Sequence, residues 1–192
     1  MVSRMYASPS RQRGALMIEV LITIIICVIG LWGLTEVQSR LQMSEVESYQ
    51  RSQALMLLDD MSTRLELNRK NAASYVTGSA DPLGVGVTCP ATTSTLAQRD
   101  AREWCSLLQG VAETNSSASR VGAMVGARGC IENIGTNRYM ITVAWQGMAP
   151  LTAPPASVAC GANAYDTAGT PCVNDLCRRA ITTVVRIGNL AT

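Results

Sequence analysis

The feature that most constrains this chain is an apolar run near its N-terminus, over residues 15–34. It reads ALMIEVLITIIICVIGLWGL and contains a single charged side chain, that of Glu19. A helix rises about 1.5 Å per residue, so a helix of this length spans roughly 30 Å, the thickness of the hydrocarbon core of a bilayer. The run therefore predicts a membrane-spanning helix.

The residues that flank the run indicate its orientation and its fate. Arg4, Arg11 and Arg13 precede it with no acidic residue among them, and the positive-inside rule places such a flank in the cytoplasm. An ordinary secretory signal has a shorter apolar core followed by a small-residue cleavage site, whereas this run continues into GLWGLTEVQSRLQ. We therefore expect a retained single-pass anchor, with everything after Leu34 on the other side of the membrane.

Glu19 is the anomaly in the run. A carboxylate at the centre of a membrane helix costs on the order of 2.5–3.5 kcal/mol to insert, less near an end, and such residues are usually functional and paired. The alternative is that Glu19 lies about one turn inside the boundary and reaches the headgroups. Position alone does not separate these two interpretations.

The junction before Glu19 favours the functional interpretation. It reads Arg13-Gly14-Ala15-Leu16-Met17-Ile18-Glu19. This resembles the class III signal of type IV pilins and type II secretion pseudopilins, a short basic leader ending in Gly, followed by an apolar helix with Glu at its fifth position. The resemblance implies that a prepilin peptidase cuts between Gly14 and Ala15 and methylates the new amine of Ala15. The usual first residue in this family is Phe, and Ala15 departs from it.

The resemblance also implies a role for Glu19 in subunit pairing. An α-amine and a carboxylate on adjacent subunits can neutralise each other inside an apolar filament core, which removes most of the desolvation cost that each would carry alone. The unpaired carboxylate of one subunit would then select its register with the next.

The helical pattern continues beyond the membrane segment. No Pro occurs between residues 10 and 81, and apolar residues recur from Ala54 at i, i+3, i+4, i+7 and i+11. We predict one helix over about residues 15–67, with its apolar stripe packed on a globular partner. The stripe consists of Ala54, Leu57, Leu58, Met61 and Leu65.

The residues that follow narrow the resemblance to PilV-type minor pilins. In those proteins the apolar helix commonly ends in Asp-Met, then Arg, Asn-Arg, Ala and Tyr, and this chain is similar to them over about its first 75 residues. Asn68 is also explained simply as a helix C-terminal residue. The matching positions are Asp60, Met61, Arg64, Asn68, Arg69, Ala72 and Tyr75.

The rest of the chain predicts an α+β head. Residues 95–108 are typical of an amphipathic helix, and β-branched and aromatic runs at 138–145 and 180–187 predict strands, with 129–134 as a hairpin partner. Pro-, Gly- and Ala-rich residues 150–171 predict a loop. The apolar face of the helix would consist of Ala97, Ala101, Trp104, Cys105 and Leu108.

These patterns and the resemblance together predict the domain organisation. Residues 1–14 form a removable leader, 15–34 the helix of the membrane and filament core, 35–74 an amphipathic stalk helix, and 75–192 the head. The expected fold class is α+β, the type IV pilin fold, in which the long helix packs on a small antiparallel sheet with disulfides.

The seven cysteines divide into one in the apolar run, Cys27, and six on the exported side. Six in an oxidising compartment suggest up to three disulfides, for which fifteen pairings are possible. We expect Cys160 to pair with Cys172 or Cys177 and clamp the loop. The disulfide candidates are Cys89, Cys105, Cys130, Cys160, Cys172 and Cys177.

Composition argues against an enzyme and against nucleic-acid binding. The chain has no His, which excludes Ser-His-Asp and Cys-His catalysis and imidazole ligands within it, and no cofactor or metal is expected. Its 16 basic and 14 acidic residues are nearly balanced, without the block of Lys and Arg that phosphate neutralisation requires.

The resemblance implies a structural protein that joins other minor pilins at the tip of a type IV pilus and primes its assembly, with twitching motility and adhesion as indirect outputs. It would start in the inner membrane, with its head periplasmic, and end in the pilus at the cell surface. The implied partners are the prepilin peptidase, other minor pilins and the inner-membrane assembly platform, with the major pilin and a tip adhesin as further candidates.

Three other functions compete with this one. A minor pseudopilin of a type II secretion system shares the leader and the helix. The second alternative, a DNA-uptake or adhesin-type binding head, requires a basic or aromatic patch. The third alternative is an exported enzyme.

Overall fold

The computed structural model describes residues 15–111 and 124–188. The basic leader and Gly14 lie outside these ranges, so the predicted cleavage position is represented only by Ala15, the first residue of helix α1. The chain divides into two units, residues 1–45 and 46–192.

Helix α1, Ala15–Leu67, has 53 residues, as the sequence predicted. Within the first unit every described residue from 17 to 45 is exposed. The hydroxyls of Thr23 and Thr35 donate to the backbone carbonyls of Val20 and Trp32, at 2.9 and 2.7 Å, so these polar groups are satisfied inside the helix.

In the second unit, α1 contributes the predicted apolar stripe to the core. Ala54, Leu58, Met61 and Leu65 are buried, and Leu57 is partly buried against them. A short 3-10 helix, Arg69–Tyr75, follows α1 and buries Ala72 and Tyr75.

Helix α2, Leu96–Leu108, begins with a capping box. The Thr95 hydroxyl accepts from the backbone N–H of Gln98, and the Gln98 side chain accepts from the backbone N–H of Thr95. Its predicted apolar face is confirmed: four of its residues are buried and Ala101 is partly buried. The buried ones are Ala97, Trp104, Cys105 and Leu108.

The sheet contains four antiparallel strands in the order β1-β2-β3-β4. They are β1, Leu83–Gly84, β2, Arg128–Gly135, β3, Arg138–Gln146, and β4, Arg178–Arg186. The predicted hairpin and strands are confirmed to within two residues, and β1 was not predicted. Residues 150–171 form no helix or strand, as expected.

Trp104 joins the layers of the core. Its indole N–H donates to the backbone carbonyl of Leu57 on α1 at 2.8 Å, and its ring packs over Gly129 of β2. A Cβ atom at position 129 would lie 2.2 Å from Cη2 of Trp104, so only glycine leaves room for the ring.

The six cysteines that follow the apolar run form three disulfides, Cys89–Cys105, Cys130–Cys160 and Cys172–Cys177. The expectation that Cys160 pairs with Cys172 or Cys177 is wrong. Cys160 instead joins the loop to Cys130 in β2, because the loop is folded back over the sheet. Cys172 and Cys177 bond to each other and close a turn. The described chain therefore has an α+β fold with a long apolar N-terminal helix, a small antiparallel sheet and three disulfides.

Candidate functional site

The apolar half of α1 is the first candidate. It is the one described helix that is long and apolar enough to cross a membrane, a criterion of length and composition that a membrane anchor and a signal sequence both meet. All large apolar side chains of residues 17–34 are 52–78% exposed. A continuous apolar surface of this extent fits lipid or a partner helix rather than water.

Glu19 is exposed on this helix, and no other charged residue follows it until Glu36. Thr23 lies four residues further on, which places it on the same side of the helix one turn away. Unlike Thr23, which bonds to its own backbone, Glu19 has no hydrogen-bond or ion-pair partner among the described residues. Cys27 is a free, exposed thiol on the same helix.

The second candidate is a polar network at the end of α1, centred on Arg64. Its Nε donates to both carboxylate oxygens of Asp60, at 3.0 and 2.9 Å, and its Nη1 donates to Asp100 and Glu103 of α2, at 3.1 and 2.7 Å. Burial alone would lower the pKa of Arg64, but the hydrogen bonds that it donates to its carboxylate partners raise it above its usual value. The guanidinium is therefore a permanent cation that binds α1 to α2.

Tyr75 extends the network to the 3-10 helix. Its hydroxyl donates to Oδ2 of Asp100 at 2.5 Å and accepts from Nδ2 of Asn68 at 3.1 Å. Burial, and then the hydrogen bond to Asp100, raise the pKa of Tyr75 to about 12. The phenol therefore stays protonated at neutral pH.

The network brings together four positions of the PilV-type resemblance, Asp60, Arg64, Asn68 and Tyr75. Asn68 is more than a helix C-terminal residue, because its side chain both donates to Tyr75 and accepts from Asn71. Of the other matching positions, Met61 and Ala72 are buried in the core and Arg69 is exposed. The polar side chains of the network are hydrogen-bonded to one another. The network therefore orients α1, the 3-10 helix and α2 and does not present a reactive group.

Sequence reasoning missed Asp100 and Glu103, which complete the network. They lie three residues apart on α2, and Asp100 is 7% exposed between apolar residues of the buried face. A carboxylate on an apolar face was the available signal, since a buried charge needs a partner.

Two arginines at the start of β4 were also missed. Arg178 is 2% exposed, forms an ion pair with Asp175 at 3.0 Å and donates to the carbonyl of Val158 at 2.6 Å. Arg179 forms an ion pair with Glu47 of α1 at 2.6 Å. These contacts hold the loop and α1 to the two faces of β4.

Within residues 17–111 and 124–188, no group of three or more Cys, Asp or Glu side chains is arranged to hold a metal ion. Comparisons of the chain with protein-family models, with curated proteins and with solved structures found no match.

Proposed function

We propose that this chain is a PilV-type minor pilin, an exported subunit that joins other minor pilins at the tip of a type IV pilus and primes its assembly. The observation that carries the proposal is the N-terminal helix. It has 53 residues without a break, and its membrane-length part is exposed on all sides and holds one carboxylate before Glu36, that of Glu19.

The chemistry of Glu19 explains how such a helix assembles. Cleavage of the leader between Gly14 and Ala15 by the prepilin peptidase creates an α-amine at Ala15. In the apolar core of a filament, this amine and the Glu19 carboxylate of a neighbouring subunit neutralise each other, whereas either one alone would carry an uncompensated desolvation cost. Charge pairing therefore favours one axial register.

The Arg64 network supports the narrower, PilV-type assignment. The residues of the resemblance are spread from Asp60 to Tyr75 along the chain, yet four of them belong to one hydrogen-bonded network. A shared requirement to fix the end of α1 against α2 accounts for their occurrence together. The exposed remainder of the head is then available for other minor pilins, the major pilin or a tip adhesin.

The proposal is tested by replacing Glu19 with Ala and measuring the amount of this subunit in pili sheared from cells. We expect Glu19→Ala to remain in the inner membrane and to be lost from the pili. Thr23→Ala is the matched control, because it removes a polar group from the same side of the helix without removing a charge. Equal incorporation of both variants would contradict the pairing role of Glu19.

The pseudopilin alternative shares the helix and Glu19, so it needs a different measurement. Deletion of the chain should abolish surface pili and twitching if it is a minor pilin of a type IV pilus. Intact pili together with the loss of enzymes from the culture medium would assign it to a type II secretion system.

A further inference from the structure

Strand β4 forms an edge of the sheet, and the hydrogen bonds just beyond its ends show which of its backbone groups face outward. The N–H of Gly147 donates to the carbonyl of Cys177 at 2.8 Å, and the N–H of Ile187 donates to the carbonyl of Asn137 at 2.9 Å. Because hydrogen-bonded pairs alternate along an antiparallel ladder, the odd-numbered residues of β4 face β3. The even-numbered residues therefore point their N–H and C=O groups away from the sheet.

Four residues present these outward groups, namely Ala180, Thr182, Val184 and Arg186. No described residue bonds to their backbone. The strand pairs with β3 in register along its whole length, and its sequence, RRAITTVVR, contains no Pro. Natural sheet edges are usually blocked by charged side chains, Pro, a bulge or a covering segment. Along the described chain β4 has no Pro and no bulge, and its charged residues lie only at its two ends, which leaves residues 180–185 as a straight template for another strand.

Two cavities flank this edge on the side of the sheet that carries α1. A cavity of about 380 Å³ lies at the start of β4, where Arg51, Trp145 and Ile181 contribute to its walls. A second, of about 500 Å³, lies at its end and is lined in part by Glu66 and Ile187. Ile181 and Ile187 are six residues apart, about 20 Å along a strand, so one extended segment of about nine residues reaches both cavities.

The charges around the cavities indicate what kind of segment fits. The first is bordered by Glu47, Arg51 and Arg179. Arg179 is paired with Glu47, whereas Arg51 forms no ion pair with a described residue. The second is bordered by one acidic residue, Glu66, and by two arginines that form no ion pair within the described chain. These two arginines are Arg69 and Arg186. Each end therefore has an excess positive charge.

The same charges argue against a second copy of this chain as the added strand. Strand β4 carries arginines at both ends and contains no acidic residue. A second β4 strand would therefore not supply the acidic groups that complement Arg51, Arg69 and Arg186.

We propose that β4 accepts an extended segment of a partner protein as a fifth strand. The backbone groups of Ala180, Thr182, Val184 and Arg186 bind the segment, and the two cavities take side chains from its α1-facing side. Acidic residues near both ends of the segment complement Arg51, Arg69 and Arg186. Main-chain hydrogen bonds supply affinity and the cavities supply specificity, as in other cases of strand addition. This interaction does not depend on whether the chain is a pilin.

The test uses the full chain in detergent micelles and two synthetic peptides that differ only in charge. One alternates Thr and Val and carries Glu at both ends; the other carries Lys at both ends. We expect the Glu-ended peptide to bind more tightly by fluorescence anisotropy, and to slow hydrogen exchange at the amides of Ala180, Thr182, Val184 and Arg186. The absence of binding at ~1 mM peptide, or protection at other amides alone, would overturn the proposal.

Three variants distinguish strand addition from nonspecific adhesion. Thr182→Pro removes one outward N–H but no bond to β3, and we expect it to weaken binding about tenfold. Thr182→Val, the matched control, keeps the N–H and should bind as the unmodified chain does. Arg186→Glu leaves the backbone intact and should shift the preference toward the Lys-ended peptide.

Two results would contradict the assignment. One is equal affinity of all three variants for the Glu-ended peptide. The other is a peptide-free dimer whose β4 amides are already protected, since this would identify a second copy as the occupant.

Discussion

Tyr75 donates its phenolic hydrogen to Oδ2 of Asp100 at 2.5 Å and so joins the 3-10 helix after α1 to the middle of α2. Both side chains are buried, at 1% and 7% exposure. The other oxygen of Asp100 accepts from Arg64 at 3.1 Å. The carboxylate thus has a partner on each oxygen, which is what makes a buried charge tolerable.

Replacing Tyr75 with Phe should destabilise the protein by about 1–3 kcal/mol, because the ring still fills its site but Oδ2 of Asp100 loses its donor. The midpoint of urea unfolding measures the change. Tyr49→Phe is the matched control, since the Tyr49 hydroxyl is exposed and only accepts from Gln53, and it should leave the midpoint almost unchanged. Equal midpoints for the two variants would show that the Tyr75 bond contributes nothing.

The burial of Tyr75, and then its hydrogen bond to Asp100, predict a loss of stability at alkaline pH. The pKa of Tyr75 is about 12 in the folded protein against an ordinary value of 10.0, so the folded state holds this proton more tightly than the unfolded state. The stabilisation is complete below about pH 10 and is lost as the pH rises through about 12, a total of about 2–3 kcal/mol.

Unfolding measured at steps across this pH range tests the prediction. Burial also raises the pKa of Tyr165, so the ionisation of Tyr165 likewise lowers the stability of the protein as the pH rises. The difference between the unmodified chain and Tyr75→Phe therefore isolates Tyr75: the variant should lose less stability between these pH values. Parallel curves would assign the alkaline loss to other groups.

The sequence predicted those elements whose signal is local. The apolar residues of α2 recur at helical spacing, and Thr95 with Gln98 marks its first turn, so both its bounds and its buried face could be inferred. The runs that became β3 and β4 are β-branched and bounded by turn residues. In each case the neighbouring residues along the chain carry the information.

What could not be predicted depends on residues far apart in the sequence. Asp100 meets Tyr75 only once α2 has packed on the end of α1, and nothing near either residue specifies that contact. Cys160 lies closer in sequence to Cys172 than to Cys130, yet it bonds to Cys130 because the loop folds back over the sheet. The two residues of β1 are too few to carry a strand pattern.

Gly129→Ala should destabilise the core strongly. The new Cβ would lie 2.2 Å from Cη2 and 2.5 Å from Cζ3 of the fully buried Trp104 ring, and forced overpacking of this kind typically costs about 1–3 kcal/mol. The displaced indole would also strain its bond to the Leu57 carbonyl. Gly188→Ala meets no atom within 4 Å and is the control. Unfolding midpoints and the tryptophan emission maximum measure both; an unchanged Gly129→Ala protein would mean that the ring can move freely.

The disulfide pairing predicts an order of stabilities that a different pairing would not give. Cys130 and Cys160 are separated by 30 residues and Cys172 and Cys177 by 5. Because a cross-link restricts the unfolded chain more when it closes a longer loop, removing the first bridge should cost about 3.5 kcal/mol and removing the second about 2 kcal/mol.

The paired Cys→Ser variants should therefore unfold in that order in urea, with Cys130→Ser/Cys160→Ser the less stable. Mass mapping under non-reducing conditions gives an independent readout, in which a peptide linked through Cys130 and Cys160 is expected. If Cys160 were linked to Cys172 or Cys177 instead, Cys130→Ser alone would leave the Cys160 bridge intact. In the pairing observed, the same single substitution frees the Cys160 thiol, so a thiol-labelling reagent added after unfolding should be found by peptide mapping at Cys160 as well as at Cys27, which is free in either pairing.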